Sequence, residues 1–242
     1  MRIAASFRDN LIIDRYDPLF ARMRAKKLKH LRSENSEDAV TWNVFRSLRQ
    51  IDPAVWLPAL QDEAGIGGLV LPVESVSVDL WRNVPPPPAL LAGGDEGVSE
   101  IDVVLEAPTW VWFIEAKFRS DISESTTTRP ERDQVLRNLD VGSYYAGVRR
   151  FIFSLLIRDE ETSPRGVKAI KRYQYLAHTR SCLSGHRSDQ LANIQSVGIL
   201  TWALLGRVLA RAEVAAPHSD EKAIAGRALA WLQAKRLAGG AG

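Results

Sequence analysis

Asp102, Glu115 and Lys117 are the residues of this 242-residue chain whose types and spacing best suit chemistry. Asp102 lies in Ser99-Glu100-Ile101-Asp102-Val103-Val104-Leu105, and the other two lie in Val111-Trp112-Phe113-Ile114-Glu115-Ala116-Lys117. Both runs are apolar and rich in β-branched and aromatic residues, the pattern of buried strands. Such strands do not carry ionised groups unless these are paired or bind a metal. Ala107-Pro108-Thr109-Trp110 suits a four-residue hairpin loop, with Pro108 starting the turn. That register sets Leu105 and Glu106 opposite Trp112 and Val111. It also sets Asp102 opposite Glu115, on one face, with Cβ atoms roughly 5 Å apart. A three-residue loop would turn Asp102 to the other face. Lys117 shares the face of Glu115 by alternation.

Two adjacent carboxylates repel, and one takes up a proton unless a cation sits between them. A hard divalent ion removes the conflict. Mg²⁺ typically uses one or two carboxylates, several waters and substrate phosphate oxygens. The backbone carbonyl of Ala116 is a candidate third ligand. A charged lysine beside the ion can orient the attacking water and steady negative charge building on phosphorus. The set suits metal-assisted phosphodiester hydrolysis. A Glu-x-Lys pair alone more often marks a solvated strand face; here the apolar flanks and a partner carboxylate one hairpin earlier favour a site.

On these residues the chain resembles the PD-(D/E)xK nuclease superfamily, also called restriction-endonuclease-like. Its signature is an Asp on one strand, then Glu or Asp, any residue and Lys on the next. Asp102, Glu115 and Lys117 match it, while Ile101 stands where a Pro often precedes the Asp. Many members also carry a Glu on a helix before the core strands and a Gln on the helix after the Lys strand. Glu37 and Gln134 are the candidates. The resemblance covers roughly residues 33 to 205. It implies an α/β fold with a central mixed β-sheet flanked by helices on both faces. It also implies a DNA endonuclease using Mg²⁺, with Mn²⁺ as a substitute, acting in restriction, repair or mobile-element defence. Some members have lost catalysis, so the alternative is an inactive nucleic-acid-binding module on the same fold.

Asn35 or Ser36 can cap a helix that carries Glu37 at the edge of a stripe formed by Val40, Val44, Phe45 and Leu48. Glu37 equally suits the electrostatics of a helix N-terminus. Pro130 fits the first turn of a later helix, whose packing side is Val135, Leu136, Leu139 and Val141 or Gly142. Gln134 and Asn138 are one turn apart on it and can both face the site, orienting a carboxylate or a water; a solvated glutamine fits the sequence as well.

Composition bounds the remainder. Hydrophobic content of 45% and charged content of 25% are ordinary for a globular protein, and the length suits a single domain over residues 1–242. One cysteine, Cys182, precludes an internal disulfide and suits a reducing cytoplasm. No secretory signal or membrane-spanning run is visible, so no membrane is expected as a partner. Net charge is only +3, but Arg22, Arg24, Lys26, Lys27, Lys29 and Arg32 fall in one stretch without an acid. Within a basic segment of about residues 1–32 they would form an amphipathic helix able to track the phosphates of DNA. A solvated basic face or a membrane-surface helix would look similar. A second basic row is Arg165, Lys168, Lys171 and Arg172. A homodimer would suit double-strand cutting.

Along the chain, periodicity predicts helices over 17–32 and 36–50, turns between Asp52 and Gly68, and a strand from Val73 to Trp81. Pro85 to Pro88 and Gly93-Gly94 predict a long loop, with the prolines a stiff spacer. The hairpin over 99–118 is followed by a polar loop from Ser120 to Arg129 and the Gln134 helix. Then come a strand over Arg150 to Ile157, a helix near 164–177 and a strand over Val197 to Trp202. C-terminal helices follow at Leu204 to Ala212 and Asp220 to Leu237, within about 204–237. His178, Cys182 and His186 recur every four residues, but Ser184-Gly185 should end a helix before they align as zinc ligands. Gly65-Ile66-Gly67-Gly68 lacks a full phosphate-binding pattern.

Overall fold

A computed structural model describes residues 3–92, 97–125, 132–187 and 191–238. In chain order come 3₁₀ turns at Phe7–Asn10 and Pro18–Arg22, then α1 (Ala25–Leu31), α2 (Glu37–Leu48) and α3 (Pro53–Glu63). Next are β1 (Ser77–Val84), α4 (Pro88–Ala92), β2 (Ser99–Ala107), β3 (Trp110–Ala116), α5 (Gln134–Ala146) and β4 (Arg150–Ile157). Then follow α6 (Pro164–Tyr173), α7 (Leu176–Leu183), a 3₁₀ turn at Leu191–Asn193, β5 (Ile194–Thr201), α8 (Trp202–Ala215) and α9 (Ser219–Ala234). The chain forms a five-stranded mixed sheet with helices around it, an α/β fold. It divides into two compact units, Met1–Glu63 with Trp202–Gly242, and Ala64–Thr201.

The first unit is helical. Ser36 caps α2 by accepting from the Ala39 N–H at 3.1 Å. Trp42 is fully buried, donates to the Ile13 carbonyl at 2.9 Å and packs on Phe20. The helix expected over 17–32 is broken, because Met23 and Arg24 are extended between the 3₁₀ turn and α1. A run of like charges with no acid gives such a helix no i,i+4 pairs to hold it. The turns expected after Asp52 are instead α3. Pro53 opens that helix, and Trp56, Leu57 and Leu60 bury its apolar side. Proline is tolerated in a first turn because the missing N–H would have no partner there. Among the described residues no helix is long and apolar enough to cross a membrane.

The second unit holds the sheet, in the order β1-β2-β3-β4-β5. β1, β2 and β3 pair antiparallel, while β3, β4 and β5 pair parallel. The hairpin turn is shorter than expected. Ala107 pairs with Trp110, leaving Pro108-Thr109 as the turn, yet Leu105↔Trp112 and Glu106↔Val111 keep the anticipated register. Removing one pair from a loop symmetrically does not change which residues face each other. The strand expected from Val73 begins at Ser77 and continues through Arg82 and Asn83 to Val84. The proline run ends in α4, and Gly93-Gly94, Pro130 and the loop segment 126–131 lie outside the described residues. The helix near 164–177 is two helices, α6 and α7.

All residues of β3 are buried. Phe113 and Phe151 meet edge to face at 5.3 Å between ring centres. Helix α5 lies close on this layer at Gly142, where a Cβ would sit 2.1 Å from the Phe151 ring and 2.8 Å from Phe113. On the outer part of β2, Glu106 accepts from Arg149 at 2.8 Å and from Tyr145 at 2.9 Å, and pairs with Arg82. Burial would raise the Glu106 carboxyl, but these hydrogen bonds outweigh it and hold the group below the ordinary carboxylate range.

Gly142→Ala is expected to lower stability by about 1–3 kcal/mol through overpacking. A lower denaturant midpoint with unchanged slope is the readout; an unchanged midpoint would contradict this close approach. Because the folded-state pKa of Glu106 is depressed, its contribution is present above the ordinary carboxyl range and is lost as pH falls through the folded value. Glu106→Gln should therefore be less stable than wild type near neutrality, with the difference shrinking in acid. A pH series of urea midpoints measures it.

Candidate active site

The strands part where the charged residues lie. The β2–β3 ladder runs from Ala107↔Trp110 to Val103↔Ile114 and ends there, one pair short of Asp102 and Glu115. The β1–β2 ladder passes from Leu80↔Val103 to Arg82↔Ile101 and omits the position between. Trp81 there has φ +54°, a left-handed conformation that costs a bulky residue on the order of 1–3 kcal/mol. Asp102 thus sits where both its ladders are interrupted. Its Oδ2 accepts the Ala116 N–H at 2.9 Å, replacing a backbone partner with a carboxylate.

Glu115 is 4% exposed and Lys117 8% exposed. A carboxylate this deep requires compensation. Lys117 Nζ donates to Glu115 Oε1 at 2.6 Å. Gln134 Nε2 donates to the same oxygen at 2.6 Å, and Asn138 Nδ2 donates to Oε2 at 2.8 Å. Both amides come from the first turn and a half of α5. Asp133 caps that helix by accepting from the Leu136 N–H, which fixes where the helix starts and so where Gln134 points.

Lys117 lies one residue beyond β3, but its N–H donates to the Leu156 carbonyl at 2.7 Å and continues the parallel pairing. Successive strand residues turn their backbone groups to opposite neighbours. The Lys117 N–H faces β4 and the Ala116 N–H faces Asp102, so the Ala116 carbonyl also lies on the Asp102 side.

The structure therefore brings Glu115, Lys117 and Gln134 together, with Asp102 held against the neighbouring Ala116 amide. Asn138 completes the set. Glu37 opens α2 in the first unit, where its carbonyl accepts from Thr41 Oγ1. Of the basic run, Arg22, Arg24, Lys26 and Lys29 are exposed, whereas Lys27 pairs with Asp38 at 3.6 Å and Arg32 donates to the Ala4 carbonyl. His186 meets Asp140 at 2.6 Å, His178 meets Cys182 at 3.5 Å, and α7 ends at Leu183 between them.

One cluster was not anticipated. Asp140, on α5 and fully buried, takes Arg132 at 2.8 Å, His186 at 2.6 Å and Arg187 at 3.1 Å. It ties both chain segments to the helix that orients Glu115. A charged residue inside the packing stripe of α5 was the sequence signal for Asp140. Its partners, 8, 46 and 47 residues away, left none.

Among the described residues no group of three or more His, Cys, Asp or Glu side chains is arranged to hold a metal ion. The set offers two carboxylates and a carbonyl, the donor count Mg²⁺ takes when water and phosphate supply the rest. The chain matches no protein-family model and no curated protein. A crystal structure described as a protein of unknown function, AF1548, is similar over 82% of this chain and all of that one. Its identity is 16% and its TM-score 0.26, too low to carry an argument.

Asn138→Asp sets a second carboxylate against Glu115. The variant is expected to be less stable at pH 7 by about 1–3 kcal/mol. It should recover toward acid, as one of the two facing carboxyls takes up a proton. Equal destabilisation at pH 7 and at about pH 5 in urea denaturation would contradict a direct bond between these residues.

Proposed function

We propose that the chain is a Mg²⁺-dependent DNA endonuclease whose centre is Asp102, Glu115 and Lys117. The observation that carries the reading is a buried carboxylate, Glu115, gripped by a lysine and two amides at the edge where Asp102 approaches. Two acids against one lysine leave a net negative charge, which suits a divalent cation.

Asp102, Glu115 and the Ala116 carbonyl would hold the ion. When bound, it would supply Lewis-acid stabilisation of charge on the phosphoryl oxygens. Lys117 Nζ, already fixed against Glu115 at 2.6 Å, is the group that orients the attacking water and offsets developing negative charge. Gln134 and Asn138 hold the Glu115 carboxylate in one orientation, so little rearrangement accompanies the reaction. The exposed Arg22, Arg24, Lys26 and Lys29 supply phosphate contacts in the first unit.

A binding module on the same fold is the second reading. Binding alone gives no reason to keep two carboxylates near a phosphate path, since they repel it. The discriminating measurement is cleavage of plasmid DNA with Mg²⁺, with Mn²⁺ and with chelator. Wild type should nick or cut only with metal. Lys117→Ala, Asp102→Asn and Glu115→Gln should each lose about 10²-fold or more. Cutting by Lys117→Ala at the wild-type rate would remove the mechanism, and DNA binding without cutting under every condition would favour the module.

A further inference from the structure

We infer that the exposed face of α6 carries Arg165, Lys168 and Arg172 as a phosphate track for the DNA strand that enters the Asp102–Glu115–Lys117 site. The inference rests on the nuclease reading and names a second contact for the same substrate.

Arg165, Lys168 and Arg172 stand at i, i+3 and i+7, so they share one helix face. The row spans about 10 Å at 1.5 Å per residue, about three nucleotide rises of 3.4 Å. These residues line a cavity of about 130 Å³ together with Ile122, Glu124, Asp133 and Ala169. That is room for about four waters at 30 Å³ each, or for a phosphate with part of its hydration.

The charges in the cavity are not evenly committed. Glu124 pairs with Arg165 at 3.5 Å, and Asp121 pairs with Arg165 at 3.3 Å. Asp133 accepts the Tyr173 hydroxyl at 3.0 Å and the Leu136 N–H at 2.8 Å. Lys171, on another side of the helix, meets Glu160 at 3.7 Å. Lys168 and Arg172 form no ion pair among the described residues, and both are exposed. Two of the three carboxylates here, Asp121 and Glu124, are spent on Arg165, and Asp133 is engaged by Tyr173 and the Leu136 N–H, so Lys168 and Arg172 are the cations left to meet a phosphate.

The face is also anchored beside the site. Asp121, four residues past Lys117, accepts the backbone N–H groups of Arg165 and Gly166 at 2.8 and 2.9 Å. Four residues reach about 14 Å at most, so α6 begins within about 20 Å of Lys117. At its other end Tyr173 bonds Asp133, the residue before Gln134, which donates to Glu115. A strand cut at the site would cross the row within about six nucleotides at 3.4 Å each.

The test is fluorescence anisotropy of a labelled DNA duplex bound to the full chain, in chelator so that no cutting intervenes, between 50 and 200 mM salt. Lys168→Ala/Arg172→Ala should bind about tenfold more weakly, with the slope of log K against log salt reduced by about 1.8. Lys171→Ala should leave affinity as in wild type, and Arg172→Lys, which keeps the charge, should retain the slope. Thermal midpoints check that each variant is folded; if the double alanine variant is not, Lys168→Gln/Arg172→Gln replaces it with the same expectation. Wild-type affinity and slope in the double variant would overturn the track while leaving the nuclease reading intact. A wild-type chain that neither binds nor cuts DNA would overturn both.

Discussion

Burying the Glu115 carboxylate is the constraint on which the rest of the site depends. An ionised carboxylate at 4% exposure carries a desolvation cost of several kcal/mol. Three donors offset it, and hydrogen bonds to charged groups contribute about 1.5–3 kcal/mol each. One donor, Lys117, is two residues away on the same chain segment and brings its own charge. The other two, Gln134 and Asn138, belong to a different element. The carboxylate can exist there only if α5 begins at the right place and lies at the right distance from β3.

Helix α5 meets that requirement through three unrelated devices. Asp133 fixes its first turn. Gly142 lets it approach Phe151 and Phe113 closely. Asp140, at no exposure, draws Arg132, His186 and Arg187 onto it. The helix thus has an apolar side that joins the core, a polar first turn that holds Glu115, and a buried ionic anchor beyond. Removing a partner from such an anchor leaves an uncompensated charge, which makes it a rigid attachment.

β3 is the strand at which the sheet changes from antiparallel to parallel pairing. At its carboxyl end Ala116 turns its amide to Asp102 while Lys117 turns its amide to β4. Crevices outside the carboxyl ends of strands are where open α/β sheets bind ligands. Here the antiparallel neighbour supplies an acid, the parallel neighbour supplies backbone pairing, and the helix between β3 and β4 supplies the amides. The left-handed Trp81 opposite Asp102 marks the same place on β1. All four lie in one compact unit.

The hairpin register was legible because side chains alternate with period two, and a single pairing sets Leu105 against Trp112. The one-turn spacing of Gln134 and Asn138 was legible, as was the Ser36 cap as a residue type before a periodic stripe. α3 was not legible in the segment expected as turns: it contains Pro53 and Pro58, and its apolar residues Trp56 and Leu60 are buried only in the folded unit. Uniform basic charge hid the break at Met23-Arg24. The chain alone determined the two hairpin strands, their register and the acid–lysine spacing, because these follow from interactions within a few residues or across a tight turn. Only the folded structure decided that Glu115 takes its amides from α5, that Asp140 joins groups as far apart as 132 and 187, and that Glu106 gathers Arg82, Arg149 and Tyr145. Those partners are distant in sequence, and long-range electrostatic pairing leaves no local periodicity from which it could be read.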